Sequence, residues 1–223
     1  MIRKPPLTIG LGALLLVLAA CRPGRVLVTP APERIESLEG YASLRITERG
    51  ETSRSKFSFL LVLPHRGRIE ASNFLVGSVY QMIFTPNGAS FVVPSKRVYW
   101  EGKEEEVIYR FLGFHLSLDE VIRLFSGRWP DAAPEGWRLR KDARGRILSG
   151  SRGDLSFSVE DFAEGSSIPA SIAYRYAGGE GRLRMLRIAF NRTPSDRAFS
   201  LDFKRRFQRK TWEEIFELIH DPD

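Results

Sequence analysis

Residues 41–63 read YASLRITERGETSRSKFSFLLVL, and this stretch decides the class of fold. In its first part Ala42, Leu44 and Ile46 alternate with other residues, which is typical of a strand with one buried face. The dipeptide Arg49-Gly50 then provides a turn. The last part, Lys56 to Leu63, is a long apolar run in which one face carries Phe57, Phe59, Leu61 and Leu63. The stretch therefore predicts two long strands, neighbours in an antiparallel sheet.

The same kind of run recurs along most of the chain. Further strands are predicted over residues 68–74, 79–85, 89–93, 97–101, 137–141, 146–151, 155–159, 168–176, 182–190 and 198–203. Asn87-Gly88, between the second and third of these, is a strong tight-turn signal. A long antiparallel sheet curls to avoid open edges. We therefore expect a mainly β protein with helices (α+β), built on a curled half-barrel.

Four helices are predicted, over residues 33–38, 104–112 and 117–125 and from Thr211 onward. Ser117 and Glu120 form a capping box at the start of the third, and Thr211 and Glu214 form another at the start of the fourth. Gly113 and Gly127 end the two middle helices. We expect those two to plug the concave side of the sheet. The space beneath them is then either a solid core or a cavity for an apolar ligand.

The amino terminus has the features of an export signal. Arg3 and Lys4 precede an apolar run from Leu7 to Ala20, which is too short to cross a bilayer comfortably. The run closes with Leu18-Ala19-Ala20-Cys21. Cys21 is the only cysteine, so an intrachain disulfide is excluded.

This segment resembles the lipobox of bacterial lipoproteins. In that family a diacylglycerol is attached to the cysteine sulfur, the signal is removed just before the cysteine, and the new amino terminus is usually acylated. The resemblance implies that residues 1–20 are a signal peptide and that Cys21 is lipidated. The alternatives are an ordinary secretory signal with a coincidental cysteine, and a transmembrane anchor.

The residues after Cys21 bear on location. Arg22 stands where Asp, in similar enterobacterial lipoproteins, usually retains the protein in the inner membrane. The resemblance thus implies the outer membrane, on its periplasmic side. Residues 21–32 are interpreted as a lipidated tether because prolines and a glycine interrupt any regular pattern, and residues 33–223 as a single domain. The alternative is a strand at Val26 to Val28 that pairs with the domain.

The net positive charge of the chain bears on the kind of partner it binds. The formal charge of +7 falls to +5 without Arg3 and Lys4, and a basic surface suits nucleic acid, anionic lipid or phosphate. The export signal argues against nucleic acid. The basic run Lys204 to Lys210 is interpreted as a solvated linker, with contact to lipid phosphates or an acidic partner as the alternative.

No feature of the sequence indicates catalysis. The histidines have no metal-ligand spacing, and no G-x-S-x-G motif occurs. We therefore expect no catalytic residue, no metal and no cofactor. An enzyme would require a cleft with convergent polar residues. The histidines are His65, His115 and His220.

Two segments resemble the LolA/LolB-like periplasmic lipoprotein carriers, especially the LolB-like outer-membrane receptors. Residues 72–78, SNFLVGS, are similar to an apolar loop that protrudes between two strands in that family. Residues 112–124, LGFHLSLDEVIRL, are similar to the helix pair that covers the cavity. We call Phe74, Leu75 and Val76 the hook loop. The alternative is that they are a buried strand end.

The resemblance implies a half-barrel that accepts acyl chains from a soluble carrier, and a loop that helps move the cargo into the outer membrane, with no covalent step. Outer-membrane lipid, lipoprotein cargo and the soluble carrier are the implied partners. The runner-up is a structural or interaction lipoprotein of an envelope assembly, whose concave face is filled by its own side chains. The residues predicted to line an acyl cavity are Phe57, Phe59, Leu61, Phe91 and Val93 from strands, with Phe111 and Phe125 from the plug.

Overall fold

The computed structural model describes residues 26–29, 32–73 and 79–220, which form one curled sheet with helices. Its strands are β1 (Leu27–Val28), β2 (Ser37–Glu48), β3 (Glu51–Val62), β4 (Arg66–Asn73), β5 (Val79–Thr85), β6 (Gly88–Val93), β7 (Val98–Gly102), β8 (Arg138–Lys141), β9 (Ile147–Arg152), β10 (Leu155–Phe162), β11 (Pro169–Tyr176), β12 (Gly179–Phe190) and β13 (Gln208–Arg209). The α-helices of the described part are α1 (Glu104–Leu112), α2 (Leu118–Ser126) and α3 (Trp212–His220).

The strands follow one another as two meanders joined in the middle. The order across the sheet is β13-β7-β6-β5-β4-β3-β2-β12-β11-β10-β9-β8, and β1 pairs with β12 beside this path. The pairs β1–β12 and β13–β7 are parallel, and the others are antiparallel. The predicted class, a mainly β protein with a curled antiparallel sheet and helices, is confirmed.

The β2–β3 hairpin shows how the sequence makes this sheet. Arg49 and Gly50 both have positive φ, at 51° and 85°, which is the backbone of the tight turn that matches strand twist. The register places Ala42 opposite Phe57 and Gly40 opposite Phe59. A Cβ on Gly40 would lie 2.1 Å from the carbonyl oxygen of Arg187 and 2.7 Å from the Phe59 ring. Glycine at this position therefore lets the ring lie across the strand.

Helices α1 and α2 cover the concave face, the face to which Phe57 and Phe59 point. The predicted capping box is present, since Ser117 Oγ accepts from Glu120 N at 3.2 Å and Glu120 Oε2 accepts from Ser117 N at 2.9 Å. Gly113 and Gly127 end the two helices with φ of 84° and 68°. The buried apolar residues of these two helices are Val107, Ile108, Leu112, Leu118, Val121, Ile122, Leu124 and Phe125.

Two predicted elements were wrong. The segment predicted as a helix over residues 33–38 bends and then enters β2 at Ser37. Asn191 Oδ1 accepts from the backbone N–H groups of Glu36 and Ser37, at 2.8 and 3.2 Å, so the side chain of a distant residue binds this backbone in place of a helical turn. The strand predicted over residues 198–203 is instead a pair of 3₁₀ turns, Asp196–Phe199 and Asp202–Arg205.

These turns belong to a C-terminal strap, residues 196–220, that wraps the β7 edge. On the convex face Phe203 meets Tyr99 with ring centroids 5.3 Å apart. Strand β13 then pairs with β7, which protects the sheet edge. Helix α3 returns to the concave face, where Trp212 meets Phe91 at 5.3 Å.

The described part of the tether contains a strand. Leu27 and Val28 pair in parallel with Arg187 and Ile188 of β12. This is the strand at Val26 to Val28 that the sequence left open as an alternative, seen here over two residues.

Candidate functional site

The residues predicted to line an acyl cavity lie in the layer between the sheet and the helices. Phe57 meets Phe111 with centroids 5.3 Å apart, and Phe59 meets Phe125 at 5.0 Å. These are distances of packed aromatic rings, so the protein's own side chains occupy the space that these rings share. Leu61, Phe91 and Val93 are buried in the same core, and Phe91 also packs against the strap through Trp212.

An open cleft lies beside this layer, and we call it the rim cleft. It has a volume of about 1050 Å³ and is bounded by three hairpin turns, the end of α1 and the start of α3. Phe114 forms part of its floor, with ring centroids 4.9 Å from Tyr174 and 5.5 Å from Tyr176. The cleft therefore joins solvent to the aromatic core. Its aromatic residues are Tyr109, Phe114, Tyr176, Trp212 and Phe216.

The cleft is amphipathic. Arg110 places its guanidinium carbon 4.8 Å from the centre of the Trp212 ring, and His115 stacks on Tyr109 at 4.5 Å. The Tyr176 hydroxyl donates to a Glu48 carboxylate oxygen. Burial, helped by Glu48, raises the pKa of Tyr176 above its usual range. The phenol is thus neutral at ordinary pH and serves as a hydrogen-bond donor with an apolar ring.

Tyr174 packs against Phe114 behind the cleft. Its hydroxyl is buried and has no hydrogen-bond partner among the described residues. Burial raises the pKa of Tyr174 as well. Leaving a buried hydroxyl unpaired is unfavourable, and Tyr174 does not line the rim cleft.

One polar cluster ties the helical cover to the far half of the sheet, and we call it the cover latch. It consists of Glu120, Trp137 and Arg152. Glu120 is only 8% exposed. Its Oε1 accepts from Trp137 Nε1 at 2.6 Å and from the Arg152 guanidinium. Arg152 also donates to the His115 carbonyl at 2.9 Å. The latch thus holds α2 and its entry turn against β9.

Other predicted site residues lie outside the described residues. These are Cys21, the signal segment before it and the hook loop. The described flanks of the hook loop are neighbouring strands, since Ser72 pairs with Val79. The hook loop therefore lies in the sequence between β4 and β5, and its role stays a prediction.

The remaining polar candidates are possible metal ligands and the basic run Lys204 to Lys210. There, no three His, Cys, Asp or Glu side chains are grouped to hold a metal ion. Lys204 and Arg209 both pair with Glu101, and Lys210 pairs with Glu214. Much of the charge of the Lys204–Lys210 run is therefore balanced within the chain. None of the described helices has the length and apolarity needed to cross a membrane.

Sequence reasoning missed most of the rim cleft. Phe114 was inside the segment 112–124 that resembles the helix pair, but Tyr109, Tyr176 and Trp212 carried no local signal. They meet only because α1, β11 and the strap converge at one end of the sheet.

Solved structures share this arrangement of sheet and helices. A domain described as an outer membrane lipoprotein-sorting protein, from Vibrio parahaemolyticus, matches with a TM-score of 0.52 and 10% identity, over 76% of this chain and 92% of that one. A LolA superfamily protein from Nitrosomonas europaea matches with a TM-score of 0.50 and 11% identity, over 75% and 91%. The chain has a LolA-like fold.

A DUF1329 family protein from Desulfovibrio piger is also similar, with a TM-score of 0.49 and 10% identity over 76% of this chain and 92% of that one. The sequence itself matches no protein-family model and no curated protein. The expected resemblance to LolA-like proteins is therefore confirmed as a resemblance of fold.

Proposed function

We propose that this protein is an outer-membrane-anchored periplasmic lipoprotein that binds acyl chains and acts in lipoprotein or lipid localisation, without enzymatic chemistry. The observation that carries the proposal is the rim cleft, an open cleft with five aromatic side chains in its wall, whose residue Phe114 packs against Tyr174 of the core. The LolA-like fold supports it.

Binding would begin in the rim cleft. An acyl chain would lie against Phe114 and Tyr176 and then pass under α1 by displacing Phe111, which is only partly buried. Phe111 packs edge-on against Phe57, so its rotation opens the layer predicted to hold the chain. Each methylene removed from water contributes about 0.8 kcal/mol. Separating an aromatic pair costs about 0.5–1.5 kcal/mol beyond the loss of buried area, so a few methylenes offset the loss of each ring pair.

The headgroup end of the ligand would stay at the cleft mouth. Arg110 and Arg152 line it, and their guanidinium groups suit phosphate or carboxylate oxygens. The Tyr176 hydroxyl already donates to Glu48, so its oxygen offers the ligand head a hydrogen-bond acceptor. The cleft thus suits a molecule with an apolar chain and a polar or anionic head.

We place the anchor at Cys21, after a signal of residues 1–20. Because β1 already pairs with the domain, the connection to the lipid would be the residues between Cys21 and Leu27. Fatty-acid labelling of cells tests the anchor, with Cys21→Ala expected to abolish incorporation and signal removal. Equal labelling of the wild type and the variant would contradict lipidation.

Acyl binding is tested with a dansyl-labelled fatty acid and the chain that begins at Arg22, which keeps every described element. We expect saturable binding that phospholipid displaces. Phe216→Ser, at a cleft residue that is 48% exposed, should weaken binding several-fold at little cost in stability. Tyr41→Ser, at an exposed residue on the opposite face, is the matched control.

A second candidate function is favoured by the ring packing under the helices. Because Phe57, Phe59, Phe111 and Phe125 already fill the layer between them, the domain could serve as a non-enzymatic structural or interaction lipoprotein. Absence of saturable acyl binding by a correctly folded chain would favour this scaffold over the carrier.

A further inference from the structure

The convex face of the sheet carries two adjacent rows of basic side chains. Arg54 of β3 is opposite Arg45 of β2, which is opposite Arg182 of β12. In the next row Lys56 and Arg184 stand on either side of β2. All five side chains are exposed, and they alternate with the residues that point into the concave core. Five positive charges therefore share one face of three neighbouring strands.

Three of these charges have no ion-pair partner among the described residues. Arg182 pairs with Glu160 at 2.7 Å, but Arg45, Arg54 and Arg184 form no ion pair within the described residues. Like charges directly opposite one another across strands are destabilising. An external anion would relieve that repulsion.

Exposed apolar side chains lie next to these rows. A β-bulge in β12 makes Leu186 an extra residue before Arg187, and Arg187 pairs with Tyr41 on one side and Leu27 on the other. Leu27 is 68% exposed, Tyr41 54% and Leu186 39%. They are three of the five large exposed hydrophobic residues in the described part, and they surround a single arginine.

The direction of the chain relates this surface to the proposed anchor. Strand β1 runs parallel to β12 with Leu27 beside Arg187, so the amino-terminal end of β1 is the end nearer Arg184. Cys21 precedes Val26 by five residues, which span about 17 Å at most when extended. A lipid on Cys21 would therefore hold this face close to the bilayer surface.

We propose that the convex face docks on the surface of an anionic bilayer, with lipid phosphates bound by Arg45, Arg54 and Arg184 and with Leu27 and Leu186 in the lipid interface. Apolar residues flanked by basic ones are the pattern of proteins that lie on membranes. The helical cover on the concave face is then turned away from the bilayer. The closeness of the convex face to the bilayer depends on the proposed anchor at Cys21, whereas vesicle binding by the unlipidated chain does not.

The test uses the unlipidated chain that begins at Arg22 and two kinds of vesicle, phosphatidylcholine alone and phosphatidylcholine mixed with phosphatidylglycerol. We expect co-sedimentation with the anionic vesicles only, falling as salt is raised. A basic residue near an anionic surface strengthens binding about fivefold. Replacing Arg45, Arg54 and Arg184 with Gln should therefore weaken partitioning by roughly 100-fold.

The matched control removes the same charge elsewhere. Arg138, Arg140 and Arg144 are exposed residues outside the patch, and their replacement with Gln should leave vesicle binding close to that of the wild type. Leu186→Ser should weaken the part of binding that survives high salt. Thermal unfolding of each variant checks that the fold is intact.

Several outcomes would overturn the proposal. One is equal binding of the wild type to neutral and anionic vesicles, and another is equal loss in the two triple variants. If the patch variant does not fold, the salt dependence of the wild type decides. Wild-type binding to anionic vesicles that does not weaken as the salt concentration rises would also refute the proposal. No vesicle binding at all would instead favour an acidic protein as the partner. Binding of the dansyl probe, measured on the same chain, shows separately whether the acyl-carrier function fails.

Discussion

Glu120→Gln is expected to loosen the helical cover without removing volume from the core. The carboxylate of Glu120 stands between donors on two sides. Its Oε1 accepts from Trp137 Nε1 and the Arg152 guanidinium, and its Oε2 accepts from the Ser117 backbone N–H. An amide has only one acceptor oxygen. In either orientation of the Gln side chain, its NH₂ group faces a hydrogen-bond donor. The negative charge that pairs with the Arg152 guanidinium is also lost.

The magnitude follows from these contacts. A hydrogen bond to a charged group contributes roughly 1.5–3 kcal/mol. The Arg152 side chain is 32% exposed, so solvent screens part of the pair and the lower half of that range applies. We expect a loss of about 2 kcal/mol in the free energy of unfolding. For a domain of this size that corresponds to a fall of about 4–8 °C in Tm.

Thermal unfolding by circular dichroism measures the effect, and Asp119→Asn is the matched control. Asp119 is the preceding residue in α2 and pairs with Arg123 one turn along the helix surface. That exposed pair is worth about 0.3–0.5 kcal/mol. A Glu120→Gln shift no larger than the Asp119→Asn shift would refute the latch.

The coupling within the latch gives a sharper readout. Arg152→Gln in the Glu120→Gln background should cost less than Arg152→Gln in the wild type, because the two side chains act on one contact. Amide hydrogen exchange should also speed up in α2 before it does in β2 and β3. Two results would show that the cover latch does not control the helical cover. One is additive losses in the free energy of unfolding, and the other is amide hydrogen exchange that speeds up equally over the whole sheet.

Three further predictions concern other parts of the chain. Leu75→Glu should leave Tm nearly unchanged and impair liposome association if the hook loop enters membranes; a large fall in Tm would instead show that Leu75 is buried in the core. Gly40→Ala should cost about 3 kcal/mol or prevent folding, because its Cβ would meet the Arg187 carbonyl, and a wild-type urea midpoint would contradict that register. The Lys210 hydrogen bond lowers the pKa of Glu214 from its usual 4.5, so its stabilisation is present above pH 4.5 and is lost as the pH falls through the lower folded value. Glu214→Gln should reduce this acid dependence of α3 stability, and identical pH profiles would refute it.

The candidate site could be predicted only in part from the sequence. Alternation along β3 indicated that Phe57, Phe59 and Leu61 share a buried face, and the helical periodicity of α2 placed Phe125 toward the sheet. Periodicity reports which face is buried, but it does not report what fills the space opposite. Whether these residues line a cavity or close on one another depends on how near the helices approach, and the ring distances of 5.0–5.3 Å are set by that approach.

The two wrong elements have a related cause. Residues 33–38 have the composition of a helix start, but Asn191 binds the backbone there from 155 residues away. Residues 198–203 have the alternation of a strand, yet Phe199 and Phe203 pack as side chains of 3₁₀ turns on the convex face. In both places a tertiary contact overrides a weak local preference.

The sequence by itself determined the features that depend on neighbours in the chain. These are the β2–β3 hairpin, the capping boxes of α2 and α3, and the glycine ends of α1 and α2, since turns, caps and periodic faces involve residues only a few positions apart. The tertiary structure alone decided the rim cleft, the cover latch and the basic rows. The rim cleft brings Glu48 next to Tyr176, and the basic rows bring Arg45 next to Arg182. Those contacts join residues more than a hundred positions apart. They are set by the pairing of β2 with β12, which no short stretch of sequence predicts.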